Sequence, residues 1–156
     1  CLLHDNLAAA EGQQLAGESG GPQPCLACFF YRLAEVLRHA GGLQPLQQPA
    51  FHVHERGDCS AVDASSAGNH FNPTQQPHGA PGSGPHHLGD MPNLRADAQG
   101  RANVDIHLRG VTLGGGAAND IAGRALIVHA QSDDHRSQPA GNAGARIACG
   151  LIRVTK

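Results

Sequence analysis

The sequence predicts an all-β scaffold that holds two long loops, preceded by a segment of partly helical character. Three observations lead there. Four short runs after residue 50 have strand character: 51–54 (FHVH), 103–108 (NVDIHL), 124–130 (RALIVHA) and 146–154 (RIACGLIRV). Glycine at 21 and proline at 10 of 156 residues suit turns and shaped loops better than a helical bundle. Between the first two runs lie residues 55–102, dense in Gly, Pro, Ser, Asn and His. A loop of that length in a compact domain is functional or disordered.

Taken in order, residues 1–50 stand apart. Leu26, Phe29, Phe30, Leu33, Val36 and Leu37 recur at three- and four-residue steps, which places them on one face of a helix. Gly41-Gly42 would stop that helix. Leu43–Pro49 reads as an extended linker, because Pro45 and Pro49 oppose both helix and sheet. Residues 51–156 then form the β domain. The run 103–108 alternates polar and apolar residues, as a half-buried strand does. Residues 131–145 make a second Gly-rich loop. With four Phe, one Tyr and no Trp, the core must rest on Val, Ile, Leu and Ala.

The formal net charge of −2 and the scattered basic residues give no footprint for nucleic acid. No run of 18 apolar residues is present, so no membrane span is expected. The chain begins at Cys1, which fits a fragment or a processed form, and a mature N-terminal cysteine can carry a lipid anchor. The five cysteines are Cys1, Cys25, Cys28, Cys59 and Cys149, an odd number that leaves at least one unpaired within the chain.

Eleven histidines call for an account. His52 and His54 are two residues apart in a strand, so both rings face one side and can reach one metal ion. His70, His78, His87 and Asp90 are spaced to wrap a loop around an ion, and three imidazoles with a carboxylate suit a closed zinc site. His86 competes with His87 for that role; the three-residue step to Asp90 favours His87. His129 ends an apolar strand and could join His52 and His54.

These residues carry a family resemblance. Phe51-His-Val-His-Glu55, Gly68-Asn-His-Phe-Asn-Pro73, His87-Leu-Gly-Asp90, Gly123-Arg-Ala-Leu-Ile-Val-His129 and Gly141-Asn-Ala-Gly-Ala-Arg-Ile-Ala-Cys-Gly150 resemble the copper–zinc superoxide dismutases, in order, over residues 51–154. The position of Cys59 and Gln138-Pro-Ala-Gly141 resemble the bacterial branch. The resemblance implies a Greek-key β-barrel or sandwich and an enzyme that converts superoxide to dioxygen and hydrogen peroxide by Cu(II)/Cu(I) cycling. It implies His52, His54, His70 and His129 as copper ligands, and His70, His78, His87 and Asp90 as zinc ligands. His70 would bridge the ions as an imidazolate, leave copper on reduction and carry a proton to the product. Arg146 would hold the superoxide anion beside copper. Asp133 would bond His52 and His78 and so fix their rings.

The same resemblance pairs Cys59 with Cys149, a closure worth roughly 4–5 kcal/mol on the chain-entropy model. Such a bond points to a periplasmic or extracellular setting. A homodimer is one assembly the chain could form. His4, His39, His107 and His135 match no ligand of the family and are expected to be solvated or packed. Asp134 is expected to be a surface charge or loop cap, and Arg124 to be structural. Cys25 and Cys28 form a C-x-x-C that could be a local disulfide, plain buried thiols, a redox pair or half of a metal site. Residues 1–50 do not resemble the family's first strands, so the barrel is expected to be incomplete. A substitute element, an appended segment or a misread coding frame would each explain that. The alternative function is a non-catalytic copper/zinc-binding protein on an incomplete barrel.

Overall fold

In a computed structural model of the chain, residues 28–29, 47–102, 104 and 106–153 are described. Five strands run through them: β1 (Cys28–Phe29), β2 (Phe51–His54), β3 (Ile106–His107), β4 (Ala125–His129) and β5 (Arg146–Leu151). A single 3-10 turn, Ser65–Ala67, is the one helical element among the described residues. The all-β expectation therefore holds.

The strands form two sheets: a two-stranded sheet in the order β1-β3, and a three-stranded sheet in the order β2-β4-β5. All pairs are antiparallel. Cys28–Phe29 falls inside the span read from periodicity as a helix, and that reading fails for these two residues. They are extended and pair with His107 and Ile106. A strand partner satisfies their backbone, and tertiary pairing overrides a local helical pattern. The rest of that apolar face lies outside the described residues. So do His4, His39, Cys1 and Cys25. Of the run 103–108, Ile106 and His107 form strand.

β2 and β4 are buried on both faces and β5 is partly buried, and the two-residue period sorts their side chains. Phe51, Val53, Leu126 and Val128 join Phe71, Met91, Leu94, Ile121 and Ile152 in the main core. The opposite face carries His52 and His54 of β2, with Ala125, Ile127 and His129 of β4. There Ala125 and Ile127 pack with Ala64 and Ala67, flanked by Cys59, Cys149 and Leu151. The register places His52 opposite Ile127 and His54 opposite Ala125.

The long loop closes the free edge of β2. Val53 N donates to Gly89 O (2.9 Å), and Phe71 N donates to Val53 O (2.8 Å). His54 and His70 form an antiparallel bridge. Unpaired strand edges are a liability, and here the metal-candidate loop itself covers one. Gly89 makes that approach possible: a Cβ there would lie 2.3 Å from Val53 O. Of the segment before β2 only residues 47–50 are described, and they are tied in by main-chain bonds. Leu94 N donates to Pro49 O (2.8 Å), Ala96 N to Gln47 O (3.0 Å) and His129 N to Ala50 O (2.8 Å).

Between β4 and β5 the register slips. Val128 faces Ala148, but His129 faces Arg146, with an irregularity between Val128 and His129. Ile147 is the extra residue, and both Ile147 and Ala148 pack on the main core. Such a bulge re-aims the side chains beyond it. It turns Arg146 towards the histidine face.

The disulfide Cys59–Cys149 ties the loop after β2 to β5 across 90 residues of sequence. The replacement Cys149→Ser should lower unfolding free energy by about 2–5 kcal/mol relative to the oxidised chain, as removal of a native disulfide generally does. Denaturant titration of both forms checks this. A loss under about 1 kcal/mol would show that the bond closes a loop the rest of the fold already holds.

Candidate metal centre

The loop and the sheet bring eight of the sequence-predicted site residues together. His52 and His54 come from β2 and His129 from the end of β4. His70 follows a turn that folds back on β2. His78, His87 and Asp90 come from the rest of the loop. All seven are buried, and so is Asp133 in the second loop. Among the described residues His78, Asp133 and His135 have metal-ligand spacing, and so do two groups of four: His52, His54, His70 and His129, and His70, His78, His87 and Asp90. His70 belongs to both.

In the first group, each imidazole has one nitrogen engaged and one left over. His54 Nδ1 donates to Gly68 O (2.9 Å), and His129 Nδ1 donates to Gly144 O (3.3 Å). His52 Nε2 bonds Asp133 Oδ2 (2.9 Å), and His70 Nδ1 bonds Asp90 Oδ1 (2.9 Å). The remaining nitrogens, His52 Nδ1, His54 Nε2, His70 Nε2 and His129 Nε2, are buried with no hydrogen-bond partner. A carbonyl can only accept, so the proton sits on the engaged nitrogen of His54 and His129. Their other nitrogen then offers a lone pair. Buried polar atoms are rarely left unpaired, and four such lone pairs converging within one cluster are the donor set of a cation.

The second group tests the zinc reading by its own spacing. Asp90 Oδ1 stands 2.9 Å from His70 Nδ1, 3.1 Å from His78 Nδ1 and 3.3 Å from His87 Nδ1. His87 Nδ1 is 3.4 Å from His70 Nδ1. Four ligands placed tetrahedrally around zinc at ~2.0–2.1 Å stand roughly 3.3 Å from one another. The residues present therefore fit the ion. His78 Nδ1 makes no hydrogen bond despite its closeness to Asp90, as a ligand atom on one edge of such a tetrahedron would. The second Asp90 oxygen, Oδ2, accepts from the backbone of His87 (2.9 Å) and Gly79 (3.2 Å), which fixes the carboxylate.

Asp133 joins the groups. One oxygen bonds His52 and the other bonds His78 Nε2 (2.9 Å). The main chain of Asp133 is gripped in turn by Asn93, whose amide accepts from Asp133 N (2.8 Å) and donates to Asp133 O (3.0 Å). Gly141 lets the second loop pass close over this carboxylate. At φ 66° it adopts a conformation that favours glycine, and a Cβ would lie 1.8 Å from Asp133 Oδ1.

Burial sets the charge state. It pushes the His52 pKa down to about 4, against the opposing Asp133 bond. It pushes His54 down to about 2 and His129 down to about 3. These rings are neutral at pH 7, as metal ligands must be. At His78 burial is outweighed by the bond to Asp133 and by the nearby charge of Asp90, and the value rises to about 9. Burial would raise Asp90 and Asp133, but their histidine partners hold both well below the usual carboxylate range. The charge that the two carboxylates draw onto His78 is charge that a divalent cation would replace.

A cavity of about 590 Å³ reaches the cluster, lined by His54, His70 and His129 together with Arg124 and Arg146. Arg146 is braced by Ala64 O and Gly68 O, each at 2.7 Å. Gly68 O also accepts from His54, so the arginine and a cluster imidazole share one anchor.

The other sequence-predicted residues fall outside the two groups. His86 is half-buried and bonds Gly84 O (2.8 Å), which leaves His87 as the loop's member. His107 is exposed on β3. His135 packs beside Asp133, its Nδ1 3.4 Å from Oδ2. Asp134 caps a turn, accepting from Arg136 N and Ser137 N. Arg124 bonds Asp120 O and Glu55 O and stacks over Phe71 at 3.7 Å. Sequence reasoning missed Asn93, Gln138 and the carbonyls of Gly68 and Gly144. Asn93 and Gln138 act through side-chain amides on the main chain of residues far away in sequence, and Gly68 and Gly144 through carbonyls that any residue has, so none has a local signal.

Comparisons with known proteins identify the family of the chain. The family model described as copper/zinc superoxide dismutase (SODC) matches residues 32–152, starting upstream of the motifs read above. "Superoxide dismutase [Cu-Zn] 2" of Aquifex aeolicus is 46% identical over 121 residues, 76% of this chain and 71% of that one. "Superoxide dismutase-like protein YojM" of Bacillus subtilis is 40% identical over 116 residues, 72% of this chain and 59% of that one. Among solved structures, a doubly substituted SOD-like protein from Bacillus subtilis superposes with a TM-score of 0.66 at 41% identity, covering 72% of this chain and 75% of its own. The chain belongs to the copper/zinc superoxide dismutase family.

Proposed function

We propose that the chain disproportionates superoxide, two anions and two protons giving dioxygen and hydrogen peroxide. Copper would be held by His52, His54, His70 and His129, and zinc by His70, His78, His87 and Asp90. The observation that carries this reading is the double membership of His70, with Nδ1 beside Asp90 and Nε2 left over in the group with His52, His54 and His129. Bound copper supplies a one-electron couple, and zinc supplies a fixed charge without redox chemistry.

The chain's own residues do the rest. Arg146 presents a permanent positive charge to the cavity that His70 and His129 also line, so a small anion is drawn to that place. Asp133 holds the rings of His52 and His78 in one tautomer and orientation. His70 Nε2 is the atom suited to take a proton and pass it to the product. The disulfide supports an exported, oxidising setting, periplasmic or extracellular.

The direct test is to load the purified chain with Cu(II) and Zn(II) and measure superoxide removal with and without cyanide. One ion of each metal bound without activity would make it a metal-binding protein instead. In His129→Ala, activity should vanish while zinc stays bound; loss of both metals would contradict the assignment. Arg146→Ala should lower kcat/KM by roughly tenfold or more with metal content unchanged, and Arg146→Lys should recover part of it. A flat response would remove Arg146 from the mechanism.

The metal-free chain carries a pH signature. His52, His54 and His129 titrate below the ordinary 6.5 in the folded chain, so unfolding takes up protons as pH falls. Their stabilising contribution is present above about pH 6.5 and is lost progressively below it. His78, raised to about 9, contributes fully below 6.5 and cannot offset this loss. Thermal unfolding of metal-free protein should show Tm falling from pH 6.5 to 4; a Tm that rises over that range would contradict the burial of these rings.

A further inference from the structure

We propose that Gln138 is a positioning residue for zinc, acting through His78; this rests on the zinc reading of the His70, His78, His87 and Asp90 group. His78 lies in a stretch without helix or strand, yet it is buried. Its main-chain N–H and C=O therefore need partners from elsewhere. One side chain supplies both. His78 N donates to Gln138 Oε1 (2.9 Å), and Gln138 Nε2 donates to His78 O (2.9 Å). The pair reproduces one rung of an antiparallel ladder with a side-chain amide in place of a strand.

Gln138 sits 60 residues away, in the second loop. That loop also supplies Asp133, which bonds the far nitrogen of the His78 ring. His78 is thus held at two points: Gln138 fixes its backbone, and Asp133 fixes the rotation of its ring. With both set, Nδ1 is aimed at Asp90 Oδ1, 3.1 Å away. A primary amide is suited to this because it offers a donor and an acceptor side by side. Glutamate keeps the acceptor and loses the donor. Alanine loses both. His52, His54 and His129 have no contact of this kind with Gln138, so the effect belongs to the zinc group.

The test compares wild type, Gln138→Ala and Gln138→Glu as full disulfide-bonded chains. Zinc affinity is measured by chelator competition, copper affinity in parallel, and Co(II) visible spectra report the geometry of the ligand set. Gln138→Ala should weaken zinc by about tenfold to a hundredfold, the range for loss of an outer partner of a metal ligand. Copper affinity should change less than about threefold, and the Co(II) bands should shift. Gln138→Glu should fall between the two. Unchanged zinc affinity in Gln138→Ala overturns the proposal. Equal losses of zinc and copper, with a lowered Tm, also overturn it and mark Gln138 as part of the loop's general support. A wild-type chain that takes up no zinc overturns the zinc reading itself, which sets that failure apart.

Discussion

Asp133 is a buried carboxylate with a histidine on each oxygen, and both candidate ion sites depend on it. An ionised carboxylate is costly to bury unless it is fully bonded. Here the two rings and the backbone N–H of His135 at 2.7 Å surround it. The bonds also work in reverse. They settle which nitrogen of His52 and His78 carries the proton, and so which one is left to coordinate. Asn93 fixes the main chain of Asp133, and Gly141 leaves room for it. Remove this carboxylate and the two ligand groups lose their common reference.

The site is assembled at the expense of ordinary packing. Five histidine nitrogens in the two groups are buried without a partner, and three rings are kept neutral by burial. Each such atom costs free energy in the metal-free chain. The scaffold tolerates this because the sheet is sealed on its other face by an apolar core, and because a disulfide closes the same region. Metal binding and folding are coupled in general, so an ion held by these two groups would stabilise the fold.

Much of the site was legible in the sequence, and the reason is periodicity. His52-Val-His54 in a strand must place both rings on one face, and the sheet does so. The His87–Asp90 step closes a loop turn, and the two meet at 3.3 Å. The four strand runs after residue 50 were visible because their apolar residues alternate or cluster. Other features left no trace in residue type. Gly68 and Gly144 act through carbonyls, and any residue has one. Asn93 and Gln138 act through amides whose partners lie 40 and 60 residues away. The helical periodicity through residues 28–29 misled because the apolar spacing says nothing of a distant strand waiting to pair. Local pattern is a weak prior once long-range hydrogen bonds are available.

The slip between β4 and β5 has a consequence for where the strand pairing delivers charge. In a regular register of the same residues, His129 would face Ile147 rather than Arg146. The cavity would then meet a branched hydrocarbon where it now meets a guanidinium. Composition would be unchanged, and so would every ligand. Pairing without the slip would therefore switch the local potential from attractive to indifferent for an anion. At this point of the fold the electrostatics depend on register as much as on identity.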